Sequence, residues 1–263
     1  MPMLLVVDVG NSHTVLGLYE GRELRGHWRF VTANYRTGDE LFILLNMLLQ
    51  AVSVAPEGIH GCCVSSVVPQ LNPALQQVSH KLFGVEPLMV EPGVRTGLVL
   101  HCDNPKEVGA DRIVNAVGAL EEHQGPLIII DFGTATTYDA VTAKNEWIGG
   151  VIVPGVQLSA DALFEHCAKL PRIEIVTPKT VIGRDTVGNI RSGLTYGYAD
   201  MTDGLIRRMR REMGGEALVI ATGGLARVIA EVAEEIDVVD SLLTLKGLRA
   251  VYTRNTPGAG AHK

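Results

Sequence analysis

Leu4-Leu5-Val6-Val7-Asp8-Val9-Gly10-Asn11-Ser12-His13-Thr14 can be laid over Leu127-Ile128-Ile129-Ile130-Asp131-Phe132-Gly133-Thr134-Ala135-Thr136-Thr137. In each stretch an apolar run of strand character ends in Asp-x-Gly, followed by small polar residues and a second strand-like run. The two copies lie too far apart for a solenoid period. The duplication therefore implies two similar α/β lobes facing each other rather than a stacked array.

Reading outward from the first copy, Leu4 to Val7, Thr14 to Tyr19 and Arg25 to Phe30 form three antiparallel strands, with Glu20-Gly21-Arg22 as a hairpin turn. Thr37 or Asp39 caps a helix running to about Val52. Cys62 to Val67 is a short strand, and Asn72 begins a helix ending near Gly84. The pattern restarts near Pro126, with strands at Leu127 to Asp131, Thr136 to Val141 and Trp147 to Val153, then a helix from Gln157 to Ala168. A division at residues 1–118 and 119–255 follows, with 256–263 as a Gly- and Ala-rich tail expected to be disordered.

The 263 residues are 46% apolar and 20% charged, a globular composition that excludes general disorder. The longest apolar runs fall short of the roughly 18 to 20 residues that span a bilayer, and the chain starts on a strand with no signal-peptide pattern. A cytoplasmic protein without a membrane partner is expected. A net charge of −6 disfavours nucleic acid, whose phosphates demand an excess of Lys and Arg. Arg207, Arg208, Arg210 and Arg211 read as a solvated helix face near a C-terminus. Cys62, Cys63, Cys102 and Cys167 contain no C-x-x-C pair and read as reduced thiols. Trp28 and Trp147, both in strands, read as core or interface fillers.

At Asp8-Val9-Gly10-Asn11-Ser12, glycine allows a positive φ and a close approach of backbone, so successive N–H groups can converge on an anion. Asp8 beside a phosphate calls for an intervening cation, such as hydrated Mg2+ bound to ATP. Taken alone, the segment reads first as an ordinary Asx turn. The second copy, Asp131 to Thr137, favours a pair of hairpins clamping a polyphosphate. A third element, Leu218-Val219-Ile220-Ala221-Thr222-Gly223-Gly224-Leu225-Ala226, is a strand whose paired glycines open a helix and admit a flat base or ribose. No Walker A or G-x-G-x-x-G fingerprint is present. Gly109-Ala110-Asp111-Arg112 supplies an acid near a helix start from Ile113, where an ionised carboxylate could accept a hydroxyl proton, beside an arginine able to grip a carboxylate. A helix cap by Asp111 with a surface Arg112 explains the same residues.

Together the three nucleotide elements resemble the phosphate-1, phosphate-2 and adenosine motifs of the sugar kinase, Hsp70 and actin superfamily. That resemblance implies two actin-like, ribonuclease H-like lobes, each a mixed sheet flanked by helices, with a nucleotide cleft between them. With Asn104-Pro105 leading to Gly109-Ala110-Asp111-Arg112, then Asp131-Phe132-Gly133-Thr134-Ala135 and a later Gly-rich stretch in family order, the chain resembles type III pantothenate kinases from about Leu4 to Tyr252. The resemblance implies ATP-dependent phosphorylation of the primary hydroxyl of pantothenate, the first step of coenzyme A biosynthesis, with Asp111 as general base. It implies a substrate site at Gly109, Ala110, Asp111, Arg112, Thr186 and Cys102. ATP contacts are implied at Asp8, Val9, Gly10, Asn11, Ser12, His13, Thr14, Val15 and Thr134. Mg2+ is expected through water at Asp8, K+ or ammonium at Asp131, and a homodimer with Thr186 near its interface.

Two departures stand out. Cys102 occupies a position where relatives often carry a tyrosine that closes the substrate pocket, and Ser12-His13 replaces Thr and a small residue. An exposed hairpin histidine is more often a spectator beside phosphate than a catalyst. Two rival readings use the same nucleotide elements: another small-molecule kinase, which the Gly-Ala-Asp-Arg segment disfavours, and a non-catalytic ATP-binding regulator, which the intact Asp111 disfavours.

Overall fold

In the computed structural model, which describes residues 3–256, β1 (Met3–Val9), β2 (His13–Glu20) and β3 (Glu23–Val31) form an antiparallel meander. Period-2 alternation sends Leu5, Val7, Val9, Leu16 and Leu18 to one face, where they are buried under two helices. Gly21 turns the β2–β3 hairpin at φ +61°. The first helix, α1 (Gly38–Ala51), starts where the sequence places it. The Thr37 hydroxyl accepts a hydrogen bond from the N–H of Glu40, and the Glu40 carboxylate accepts one from the N–H of Thr37, a complete capping box. Leu41, Leu45 and Leu49, at four-residue spacing, are its buried stripe. Replacing Thr37 by Ala removes the box and is expected to destabilise the protein by about 1 kcal/mol, a Tm loss of roughly 2–4 °C, readable by calorimetry.

The chain continues through β4 (Ile59–Ser66), α2 (Asn72–Phe83) and β5 (Leu88–Met89), giving a five-stranded mixed sheet in the order β3-β2-β1-β4-β5 with β4 and β5 parallel to β1. Gly84, at φ +70°, ends α2 in the left-handed region. β6 (Val99–Leu100) and α3 (Ala110–Glu122) follow.

β7 (Leu127–Phe132), β8 (Ala135–Val141) and β9 (Glu146–Pro154) form a second meander, followed by α4 (Val156–His166), α5 (Thr186–Glu212), β10 (Leu218–Thr222), α6 (Ala226–Ala230), β11 (Val238–Val239) and α7 (Leu243–Asn255). Their sheet runs β11-β10-β7-β8-β9-β6. Read from its other end, β9-β8-β7-β10-β11 repeats β3-β2-β1-β4-β5, and β10 and β11 are parallel to β7 as β4 and β5 are to β1. The duplication legible in two short motifs thus extends to the topology of both sheets, while β6 is an addition to the second.

Two compact units result among the described residues, one comprising Met3–Leu98, Asn104–Glu121 and Thr244–Thr256, the other Val99–Asp103 and Glu122–Leu243. A single cut at 118/119 does not describe this division, because the chain returns to the first unit at its end. The reason is packing. Leu245, Leu248 and Val251 of α7 are buried, and Gly247 lies so close to the Val114 carbonyl of α3 that any Cβ would overlap it. Thr244 donates to Asn115 at 2.7 Å, and Arg254 pairs with Glu121 at 2.9 Å. The expected tail lies, beyond Thr256, outside the described residues.

The arginine run at the end of α5 is only partly a solvated face. Arg210 is largely covered and pairs with Glu235 at 2.5 Å, and Arg207 reaches the same carboxylate at 3.2 Å, tying α5 to the segment before β11. Trp147 is buried and donates to Asp139 at 2.8 Å, as a core tryptophan must satisfy its N–H. Trp28 is half-buried against the first core. Cys62 and Cys63 are buried, unbridged thiols in β4, and burial pushes the Cys62 pKa up to about 12 and that of Cys63 up as well, so both stay protonated and inert.

Candidate active site

The first hairpin joins β1 to β2 through Gly10, Asn11 and Ser12. Gly10 does not adopt the positive φ expected of it. Its N–H donates to the His13 carbonyl at 3.0 Å, and a Cβ on Gly10 would stand 3.0 Å from that oxygen, so closeness is what requires glycine here. That internal bond also withdraws the Gly10 N–H from any anion nest, leaving the exposed Asn11 and Ser12 at the tip. Thr32, just past β3, ties the hairpin down: its N–H donates to the Ser12 carbonyl at 3.0 Å and its hydroxyl to the Gly10 carbonyl at 2.8 Å. With the Thr32 proton so used, the buried Thr14 hydroxyl is the donor in the 2.9 Å contact between the two threonines.

Asp8 is partly exposed near the end of β1, between the buried Val7 and Val9. Register places Val15 of β2 on one side of it and Ser65 of β4 on the other. Ser65 Oγ is fully buried with no hydrogen-bond partner. A half-exposed carboxylate at the root of a polar hairpin, with an unsatisfied hydroxyl opposite it on the neighbouring strand, could hold a hydrated Mg2+.

The second hairpin is one residue shorter. Val9 pairs with Thr14, whereas Phe132 pairs with Thr136. The structural counterpart of Thr14 is therefore Thr136, and the continuous sequence alignment that matches Thr136 with His13 slips by one position at the turn. Thr136 is buried and its Oγ1 has no hydrogen-bond partner. Gly133 and Thr134 are exposed at the tip.

Two glycines cradle this hairpin. Gly155, between β9 and α4, donates its N–H to the Thr134 carbonyl at 3.1 Å, and a Cβ there would overlap the carbonyl oxygens of Gly133, at 2.5 Å, and of Thr134. Gly223, at φ +94°, lies against Asp131 and Phe132, with a Cβ position 2.5 Å from Asp131 Oδ1 and 2.7 Å from the Phe132 backbone. The glycine after β10 thus serves the second hairpin directly. The helix it opens, α6, has only five residues and makes a weak anion site. Gly155 escapes sequence reading because nothing local distinguishes it from a linker glycine.

α3 begins at Ala110, earlier than expected, so Asp111 lies inside its first turn. Its Oδ1 accepts the Arg112 N–H at 2.8 Å, and Gly109 lies against the same oxygen, 2.5 Å from where a Cβ would be. Burial raises the Asp111 pKa. The Arg112 N–H, the Arg112 charge and its own N–H pull the other way without cancelling the rise. The carboxyl is thus less acidic than a helix start alone would make it, which moves it toward the range useful to a general base.

Asp8 to Val15 and Gly109 to Arg112 belong to the first unit; Asp131, Thr134 and Thr186 belong to the second. Thr186 is exposed in the first turn of α5, behind the cap formed by Asp185, which accepts from the Gly188 N–H at 2.7 Å. Cys102 follows β6 and is counted with the second unit. Among the described residues, no helix is long and apolar enough to cross a membrane, and no cluster of three His, Cys, Asp or Glu could hold a metal by itself.

The fold is shared with structures of very low sequence identity. A structure titled as a Baf family transcriptional activator from Campylobacter jejuni aligns at TM-score 0.60 and 16% identity, covering 95% of this chain and 98% of that one. A protein titled as an N-acetylmannosamine kinase from Listeria monocytogenes aligns at TM-score 0.53 and 11% identity over 95% and 97% of the two chains. Sequence similarity is far closer elsewhere. A type III pantothenate kinase of Exiguobacterium sp. strain AT1b is 53% identical over 96% of this chain and 99% of its own. One from Myxococcus xanthus is 50% identical over 96% and 99%. The sequence profile of type III pantothenate kinases matches residues 4–208, both hairpins and the Asp111 segment included. With the duplicated mixed sheets and these hairpins in place, the chain belongs to the type III pantothenate kinase family.

Proposed function

We propose that Asp111 is the general base of this kinase and that the Asp-x-Gly hairpins are its Mg-ATP-binding elements. The reaction follows from membership of the family: ATP-dependent phosphorylation of pantothenate to 4'-phosphopantothenate. The observation that carries the assignment of the base is the burial of Asp111 beside Arg112, which raises its pKa while keeping it at a helix start. Asp111 takes the proton of the attacking primary hydroxyl through a carboxylate oxygen, and Arg112, one residue on, offers its forked guanidinium to the carboxylate of pantothenate. Gly109 packs against the Asp111 carboxylate, and with Ala110 is our candidate for the substrate-site lining. Phosphoryl transfer asks for positioning and charge neutralisation rather than a protein nucleophile. The like role given to both hairpins rests on their duplicated topology.

Mg2+ when bound neutralises the polyphosphate, with Asp8 as its holder through water. Asp131 is our candidate ligand for K+ or ammonium, supported by its place at the root of the second hairpin, hemmed in by Gly223. Thr186, exposed at the start of α5, is available to a substrate held by a neighbouring subunit, in keeping with a homodimer. A net charge of −6 favours small-molecule partners over nucleic acid.

A coupled assay of ADP release with ATP, Mg2+ and pantothenate, run with and without K+ or ammonium, tests the reading. Pantothenate-dependent turnover stimulated several-fold by the monovalent cation is expected, with the stimulation abolished in Asp131→Asn. Equal turnover with and without the cation would remove Asp131 from that role.

A further inference from the structure

Arg29 lies outside every motif discussed so far, yet the register of the first sheet places it on the row of Asp8. Asp8 pairs with Val15, and Val15 pairs with Arg29. Residues opposed in a ladder project to the same face. Leu5, Val7, Val9, Leu16, Leu18, Trp28 and Phe30 occupy the face packed against the helices, so Asp8, His13, Val15 and Arg29 share the other. Two inter-strand spacings, about 10 Å, separate the backbones of Asp8 and Arg29, and an arginine side chain can cover most of that gap.

The side chain is not left to wander. Arg29 Nη2 lies 3.0 Å from His13 Nδ1. A guanidinium has only donors, so Nδ1 must be the acceptor and the imidazole neutral at that nitrogen. Burial, and then the Arg29 charge, lower the His13 pKa and so preserve this acceptor form. No carboxylate among the described residues forms an ion pair with Arg29. A cation is thus held by a hairpin residue on the face that carries Asp8, with its charge unspent.

We propose that Arg29, oriented by His13, binds the polyphosphate of the nucleotide held at the first hairpin. The inference rests on the reading of that hairpin as the nucleotide site, and it gives His13 a role: a positioning residue that aims the arginine. It also supplies a fixed positive charge to a site that has no Walker-type lysine.

The test is steady-state kinetics with calorimetric binding of ATP and adenosine to Arg29→Ala, Arg29→Lys, His13→Ala and Asp8→Asn. Loss of a charge-assisted phosphate contact raises KM for ATP about 10- to 100-fold in Arg29→Ala, leaves KM for pantothenate within about twofold, and leaves adenosine affinity unchanged. Arg29→Lys recovers part of the loss, and His13→Ala shows a smaller loss of the same kind. An Arg29→Ala enzyme with unaltered ATP use overturns the proposal, as does an equal weakening of ATP and adenosine, which would mark a merely structural residue. Asp8→Asn separates the premises. If it impairs ATP use while Arg29→Ala does not, the hairpin site stands and Arg29 leaves it; if neither variant is impaired, the nucleotide reading of the hairpin falls as well.

Discussion

Asp111→Asn turns over pantothenate about 100- to 10,000-fold more slowly than the native enzyme, the usual worth of a positioned general base, and it melts at a higher temperature. Both effects have one cause. Burial makes the ionised Asp111 costly in the folded state, which is why its pKa is raised. The sign follows from proton binding: between the ordinary carboxylate pKa and the raised folded value, the native state holds more protons than the unfolded one. Stability contributed at Asp111 is therefore full at low pH and declines as pH rises through that window, leaving a penalty at neutral pH. Asparagine keeps the carbonyl oxygen that accepts the Arg112 N–H and carries no charge to desolvate. A gain in Tm at pH 7 that vanishes toward pH 3, beside lost activity, is the signature of a destabilised functional group. The native enzyme's kcat/KM for pantothenate should fall as pH drops through the raised Asp111 pKa, so its acid limb lies above that of an ordinary aspartate. A variant that retains native turnover would show that another group takes the proton.

Gly155→Ala disables the second hairpin. The backbone at Gly155, φ −70° and ψ 156°, suits any residue, so conformational freedom is not what glycine provides. A Cβ would overlap the carbonyls of Gly133 and Thr134, and backbone oxygens cannot swing aside as a flexible side chain can. Either α4 moves away, breaking the 3.1 Å bond from Gly155 N–H to Thr134, or the hairpin tip shifts. Overpacking of this kind costs about 1–3 kcal/mol, and a displacement near 1 Å at a site built for positioning costs about 100-fold in rate. The expected result is a protein that still folds at 20 °C, with Tm lowered by several degrees and kcat/KM for ATP down at least tenfold. Native kinetics in a folded Gly155→Ala protein would mean that Thr134 does not touch the nucleotide.

Much of the architecture was legible in the chain itself. Alternating apolar residues gave both meanders, Thr37 and Gly84 marked helix ends, and the repeated Asp-x-Gly gave the duplication, because turns, caps and strand faces are local consequences of residue type. The motifs around Asp8, Asp111 and Asp131 stand out in the chain for the same reason, and the structure gives each its local setting. What the chain could not reveal is which distant segments meet. The return of α7 to the first unit, the cradling of the second hairpin by Gly155 and Gly223, and the clasp of Arg29 by His13 are contacts between residues far apart in sequence or on different strands. Even the equivalence of Thr14 with Thr136 needed strand register, since a one-residue difference in turn length is invisible to a continuous alignment. The pKa of Asp111 belongs to the same class. Its helix start was readable and argued for an ionised acid, but burial, which only the folded chain creates, outweighs the local donors and sets the direction of the shift.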